Sequence, residues 1–406
     1  MLQRVGGRGW PVVLLAVACG GSDAGDGDGD AATATVAASD GVGDGVADDD
    51  DDDASADASD DDDDDSAGTD TGSVDTGASD GPGNDESGGD EAPPVIVGCE
   101  SIGTVPTDGV FSLVSYDERL LAGLFGYGQE ASSMLFAYPP WGRVEPGLLG
   151  ISESVCAMQP FAGHLVANTE SSGDIVRSLD GVSWQVVWDG ENGTIGCDLV
   201  EHAGMLYAVN YDNQSRENGR ILRSPDGVQW SQVWDSGAGI SRYLREVASF
   251  DGRLFAFSVD ENTQQGYVLR SQDGVEWTEA PTPTRFFRSH VWEGALWLSS
   301  TSRGGNGEAG VWRSDGDTFE LVHPSDKAYV TELVQWRGAL FAGTSDGWKD
   351  DVGTSSVLMS PDGEQWQTVC DLPELAVWAA AVHDDRLFVG TWEFEVGGGV
   401  YEVIAQ

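Results

Sequence analysis

A hairpin phrase that recurs five times and a leucine-centred strand phrase that recurs seven times, at intervals of 41 to 48 residues, predict an all-β chain. The architecture they imply is a seven-bladed β-propeller of four-stranded blades. The hairpin phrase is Ser-x-Asp-Gly-x-x-Trp, present at residues 177–184, 223–230, 270–277 and 360–366, with a shortened copy ending in Phe at 313–319. Asp caps backbone N–H groups there, Gly takes a positive φ, and the aromatic folds back as an apolar anchor. The second phrase, Gly-x-Leu-aromatic-Ala, stands at 204–208, 252–256 and 338–342, and reads as a turn entering a buried strand.

The repeat leucines are Leu120, Leu165, Leu206, Leu254, Leu296, Leu340 and Leu387. Between them the pattern predicts four strands per repeat, as at 245–250, 253–259, 267–271 and 277–280, joined by Asp-Gly and polar turns. The last repeat supplies three strands, ending at 400–404, while residues 95–105 precede the first repeat without a partner. The N-terminal segment is therefore expected to supply the outer strand of the seventh blade, removing an open edge. The first blade's hairpin, 137–141, has lost Ser-x-Asp-Gly but keeps Trp141.

Residues 1–18 read as an export signal: Arg4 and Arg8, then an apolar run at 11–18 that is too short to span a membrane. The phrase Ala16-Val17-Ala18-Cys19 resembles a bacterial lipobox, which implies a lipidated Cys19 and an outer-membrane or cell-surface lipoprotein. Residues 19–94 read as a disordered acidic tether, because positions 20–92 hold 24 Asp and 2 Glu with no Lys or Arg. The remaining domain, 95–406, is acidic in its own right with 44 acids against 18 bases, so nucleic acid is excluded as a partner. The acidic phrase at 23–30 lacks EF-hand spacing, and no cofactor or metal is expected.

The repeats resemble Asp-box (BNR-type) propellers, the group that includes sialidases and some endoglucanases, over residues 95–406. The usual Asp-box has one residue between Asp and Gly, so the copies here are a shortened variant. In such propellers ligands bind at the channel face. The position eight before each repeat leucine holds Ser112, Ala157, Asp198, Glu246, Arg288, Glu332 and Ala379. With neighbouring Arg242, Tyr243 and Arg245, these make Asp198, Arg242, Arg245, Glu246, Arg288 and Glu332 the ligand-binding candidates. A sialidase would use several arginines, a Tyr and a Glu, and an endoglucanase would use two of Asp198, Glu246 and Glu332. No nucleophile and base arrangement is recognisable, so no catalytic residue is assigned, and in so acidic a chain the acids also read as solvated rim groups. Arg177, Arg223, Arg270 and Arg313 recur with the hairpin and are assigned to packing, as are His202 and His383, which share one repeat position.

Four cysteines follow Cys19, an even number suited to disulfides in an exported domain. Cys156 and Cys197 each lie nine residues before their repeat leucine and are expected to pair, leaving Cys99 and Cys370 to meet at the ring closure. The function expected is a cell-surface binding or scaffolding propeller with an extracellular glycan or protein ligand, anchored to the membrane through lipid alone. The alternative is a carbohydrate-active hydrolase.

Overall fold

The computed structural model describes residues 93–406 apart from 127–134, 149–153, 171, 191–193, 213–216, 238–239, 303–306, 348–352 and 395. Residues 1–92, which hold the signal segment, Cys19 and all but the last two residues of the tether, lie outside the described residues. Every regular element among the described residues is a β-strand, and the strands pair antiparallel in groups of four.

The first strand, β1 (Ile96–Thr104), stands apart from the strands that follow it directly. Group one is β2 (Gly109–Tyr116), β3 (Arg119–Phe125), β4 (Leu135–Tyr138) and β5 (Gly142–Val144). Group two is β6 (Ser154–Phe161), β7 (His164–Glu170), β8 (Ile175–Ser178) and β9 (Trp184–Trp188). Group three is β10 (Thr194–His202), β11 (Met205–Asp212), β12 (Glu217–Ser224) and β13 (Ser231–Asp235). Group four is β14 (Tyr243–Phe250), β15 (Arg253–Val259), β16 (Gly266–Ser271) and β17 (Thr278–Pro281). Group five is β18 (Arg285–Trp292), β19 (Ala295–Thr301), β20 (Gly310–Ser314) and β21 (Phe319–Pro324). Group six is β22 (Tyr329–Trp336), β23 (Ala339–Ser345), β24 (Ser355–Ser360) and β25 (Gln367–Leu372). Group seven is β26 (Ala376–His383), β27 (Arg386–Trp392) and β28 (Gly399–Ala405), with β1 as its fourth strand.

The leading strands touch in succession, β2 to β6, β6 to β10, β10 to β14, β14 to β18, β18 to β22, β22 to β26, and β26 back to β2. Single residue pairs, such as Gly109 with Trp392, also stitch groups five, six, seven and one into one continuous sheet. One apolar cluster draws on all seven leading strands, through Phe111, Cys156, Cys197, Tyr243, Phe287, Tyr329 and Trp378. Its stacked centre is aromatic: Phe111 lies 5.1 Å from Trp378, and Phe287 meets Trp378 edge-on at 5.2 Å.

Local chemistry sets each hairpin. The turn between first and second strands carries two consecutive positive-φ residues in every group, as at Asp251 (49°) and Gly252 (67°), the requirement of a two-residue type I′ turn. Group one fills the second position with Glu118 at φ 58°. Glu118→Gly is expected to stabilise the domain by about 0.5–1 kcal/mol, since only glycine adopts this conformation without a Cβ penalty. A thermal melt of the variant checks it, and an unchanged or lower midpoint contradicts it.

The Asp-Gly hairpins join third and fourth strands. In group three Asp226 Oδ1 accepts from Val228 N and Gln229 N, both at 2.8 Å, and Gly227 has φ 71°. Asp180, Asp273, Asp315 and Asp362 repeat the arrangement, and backbone hydrogen bonds hold all five carboxyls below the ordinary range. The Arg beside the hairpin serves packing in group four, where Arg270 Nε donates to Gly316 O of the next group at 2.8 Å.

The outer strand of group seven is β1, paired with β28 from Ile96 opposite Ala405 to Thr104 opposite Gly399. Trp141 of the first group donates to Thr104 O at 3.1 Å, so the Trp retained in the irregular hairpin secures that strand from the other side. Cys99 on β1 is bonded to Cys370 on β25, which fastens group seven to group six across 271 residues of sequence. The other expected bridge is not formed. Cys156 and Cys197 do occupy equivalent positions on adjacent leading strands, but each thiol is buried in the central apolar cluster and carries no disulfide. Equivalent repeat position makes two residues neighbours in rank without aiming their Cβ atoms at each other, as a bridge requires.

Candidate functional site

A β-bulge interrupts every leading strand at one repeat position, nine residues before the repeat leucine. The residues there are Phe111, Cys156, Cys197, Arg245, Phe287, Thr331 and Trp378. A bulge leaves one residue outside the ladder and re-aims side chains locally. Five of these residues enter the shared central cluster. Arg245 joins them through its guanidinium, 4.6 Å above the Phe287 ring and 5.1 Å from that of Tyr243, and is 6% exposed.

The next residue in each strand supplies a second tier. Ser112 Oγ donates to Val155 O at 3.2 Å, Asp198 Oδ2 accepts from Val247 N at 3.0 Å, and Glu246 Oε1 accepts from Ser289 N at 2.8 Å. Each of these bonds ties one group to the next. The leading strands of four consecutive groups, β10, β14, β18 and β22, contribute Asp198, Glu246, Arg288 and Glu332 to one charged arc. Arg288 stands between two acids, with Nη1 3.3 Å from Glu246 Oε2 and Nε 3.8 Å from Glu332 Oε2. Ser289 Oγ donates a further hydrogen bond to Glu246 at 2.6 Å.

Burial dominates the electrostatics. It raises Glu246 well above the ordinary carboxyl value, with the negative charge of Asp198 adding to the effect. It likewise raises Asp198, and it pushes Glu332 up to about 7 despite Arg288. Glu246 is buried and Asp198 and Glu332 are half-buried, in contrast to solvated rim groups. The exposed margin of the arc is the Arg288 and Glu332 pair, whose side chains are 17% and 16% accessible.

Arg242, the sixth candidate, does not join the arc. It pairs with Asp260 and with Glu279 at 3.0 Å, and its guanidinium lies 3.9 Å over the Tyr267 ring, all within group four. The two histidines at one repeat position pack as expected: His202 Nδ1 meets Ser249 Oγ at 2.8 Å and His383 Nδ1 meets Ser115 Oγ at 2.9 Å, in each case on the following group.

One polar cleft escaped sequence reasoning. It lies between groups five and six, has a volume of about 430 Å³, and is lined by His323, Lys327, Trp366 and Asp371 among others. Trp366 belongs to a hairpin phrase and reads as packing, and its association with His323 depends on how neighbouring groups abut. The one signal on offer was Lys327, one of two lysines in the sequence.

No family model matches the chain, and no curated protein matches it. Among solved structures, it is similar to a catalytically inactive virginiamycin B lyase from Staphylococcus aureus with quinupristin, at 10% identity and a TM-score of 0.55, over 75% of this chain and 99% of that one. The selenomethionine-substituted lyase from the same organism gives 13% identity and 0.54, again over 75% and 99%. A streptogramin B lyase gives 10% and 0.53, over 75% and 97%. These are β-propeller proteins, and at such identities the likeness carries the fold alone: the described residues of this chain form an all-β propeller.

Proposed function

We propose that the chain is an exported, lipid-anchored propeller of seven blades whose channel face binds a ligand without turning it over. The reading of seven blades is supported by seven four-stranded groups and by leading strands that touch in succession back to the first. The hairpins support an Asp-box-like repeat, since each Asp caps two backbone N–H groups beside a positive-φ glycine. Export and anchoring rest on Arg4, Arg8, the apolar run and Ala16-Val17-Ala18-Cys19. Radiolabelled palmitate is expected to enter the wild type and not Cys19→Ala, and equal labelling of the two would remove the anchor.

The observation that carries the binding reading is the convergence of Asp198, Glu246, Arg288 and Glu332 from four consecutive blades, with Arg288 and Glu332 at the accessible margin. A glycoside hydrolase would hold its two carboxyls roughly 5–9.5 Å apart around a sugar or water. Asp198 and Glu246 instead each accept from a backbone N–H of the following group, and Glu246 is also engaged by Ser289 Oγ and Arg288. That arrangement fixes blades together and presents mixed charge, which suits recognition of a hydroxyl-rich or charged extracellular ligand.

The purified full chain should be titrated with sialosides, xyloglucan, related β-glucans and a peptide panel. Binding without turnover is expected, weakened by Arg245→Ala or Arg288→Ala. Turnover that disappears in Glu246→Gln or Glu332→Gln would replace the binding reading with the hydrolase.

A further inference from the structure

The cleft between groups five and six lies away from the charged arc and is built from different elements. Its wall is a pair of rings, with the His323 imidazole 5.7 Å from the Trp366 indole and the planes within 26° of parallel. Trp366 is fixed by its own hairpin, donating from Nε1 to Gly363 O at 3.0 Å. Polar groups of both kinds complete the lining. Asp371 is exposed and accepts from Ser356 Oγ at 2.7 Å, and Thr368 and Gln367 are exposed beside it. Lys327 Nζ is 2.7 Å from Asp346 and 3.4 Å from the Thr354 carbonyl.

The chemistry narrows the ligand. An anion is disfavoured, because the one cation of the cleft is already matched by Asp346 while Asp326 and Asp371 add negative charge at the rim. An apolar ligand is disfavoured by a lining that is mostly polar. What remains is a neutral, hydroxyl-rich molecule of small size with one apolar face. Hydroxyls can both donate to Asp371 and accept from Lys327 or Gln367, and burial lowers the His323 pKa, so the neutral imidazole can also do either. A volume of about 430 Å³ falls among small-ligand sites.

We propose that this cleft binds a neutral carbohydrate ring, held edge-on by Asp371 and Lys327 and flanked by the His323 and Trp366 wall. The proposal stands independently of the channel-face reading. Calorimetric titration of the full chain with methyl glucoside, methyl galactoside, methyl N-acetylglucosaminide and their β-linked trisaccharides tests it. Saturable binding of at least one sugar is expected, weakened about tenfold or more by both His323→Ala and Asp371→Asn. Glu145→Gln, in an exposed ion pair of the first group, should leave that affinity unchanged. Absence of saturable binding by every sugar, or binding indifferent to both cleft variants, overturns the proposal. Loss of sugar binding in Glu332→Gln alone would assign the sugar to the channel face and overturn it as well.

Discussion

A chain lacking residues 93–104 is expected to lose more stability than any single substitution away from the core would remove. The deletion strips β28 of its antiparallel partner along the length of β1 and leaves an unpaired edge on the seventh group. It also removes the Cys99–Cys370 bond, which closes a loop of 271 residues. Such a bond restricts the unfolded chain strongly, and native disulfides of this kind contribute about 2–5 kcal/mol. The Cys99→Ser/Cys370→Ser double variant isolates that share. At about 2–4 °C per kcal/mol for a domain of this size, its melting midpoint should fall by roughly 5–15 °C. The deletion should fall further and aggregate on heating. A midpoint unchanged in both would mean that β1 is an appendage with no part in the fold.

Removing Arg288 is expected to have the second largest effect, with a magnitude that depends on pH. Arg288→Met leaves Asp198, Glu246 and Glu332 without their shared cation, and breaking a buried pair from one side costs about 3–5 kcal/mol when the partners are ionised. All three acids have raised values in the folded state, so folding favours their protonated forms. Their contribution is fully present below the ordinary carboxyl value and is lost as pH rises through the folded one, about 7 for Glu332. For Glu332 alone, the rise from 4.5 to about 7 amounts to roughly 3 kcal/mol at 1.36 kcal/mol per unit. The hairpin aspartates run the other way, with lowered values, so their contribution is lost as pH falls below 3.8, toward about 2 for Asp315. Wild-type stability should therefore peak on the acid side of neutrality, and Glu332→Gln should flatten the alkaline limb. Arg288→Met should be far less destabilised at pH 5 than at pH 8. Equal destabilisation at the two values, or a flat wild-type profile between them, would contradict the arc's electrostatics.

Repetition is why so much of the fold was legible. A sequence that spells the same hairpin several times over reveals its strand boundaries by comparison with itself, and the strand expected at 253–259 is β15, Arg253–Val259. The outer strand at the N-terminus was also readable, from a final repeat one strand short and a leading segment without a partner. The repeat ruler placed Asp198, Glu246, Arg288 and Glu332 at one level. What it could not convey was aim. A bulge at the preceding residue rotates each leading strand locally, so thiols at matching positions turn into an apolar core without bridging, and acids that look solvated are drawn between groups. Arg242, three residues before Arg245, ends in a different network because it precedes β14, where Asp260 and Glu279 lie within reach. The cleft beside His323 was hidden because contacts between adjacent groups join residues with no shared phrase.

The proposal on which the whole arrangement depends is that the N-terminal strand closes a ring of seven blades. Cys99 reaches Cys370 only when β1 lies along β28 with its flank against β25. Mass-spectrometric peptide mapping of the full chain, alkylated under denaturing but non-reducing conditions, measures this directly. A single linked peptide pair containing Cys99 and Cys370 is expected, with Cys156 and Cys197 recovered alkylated. A Cys156–Cys197 link, or Cys99 recovered alkylated, would contradict it.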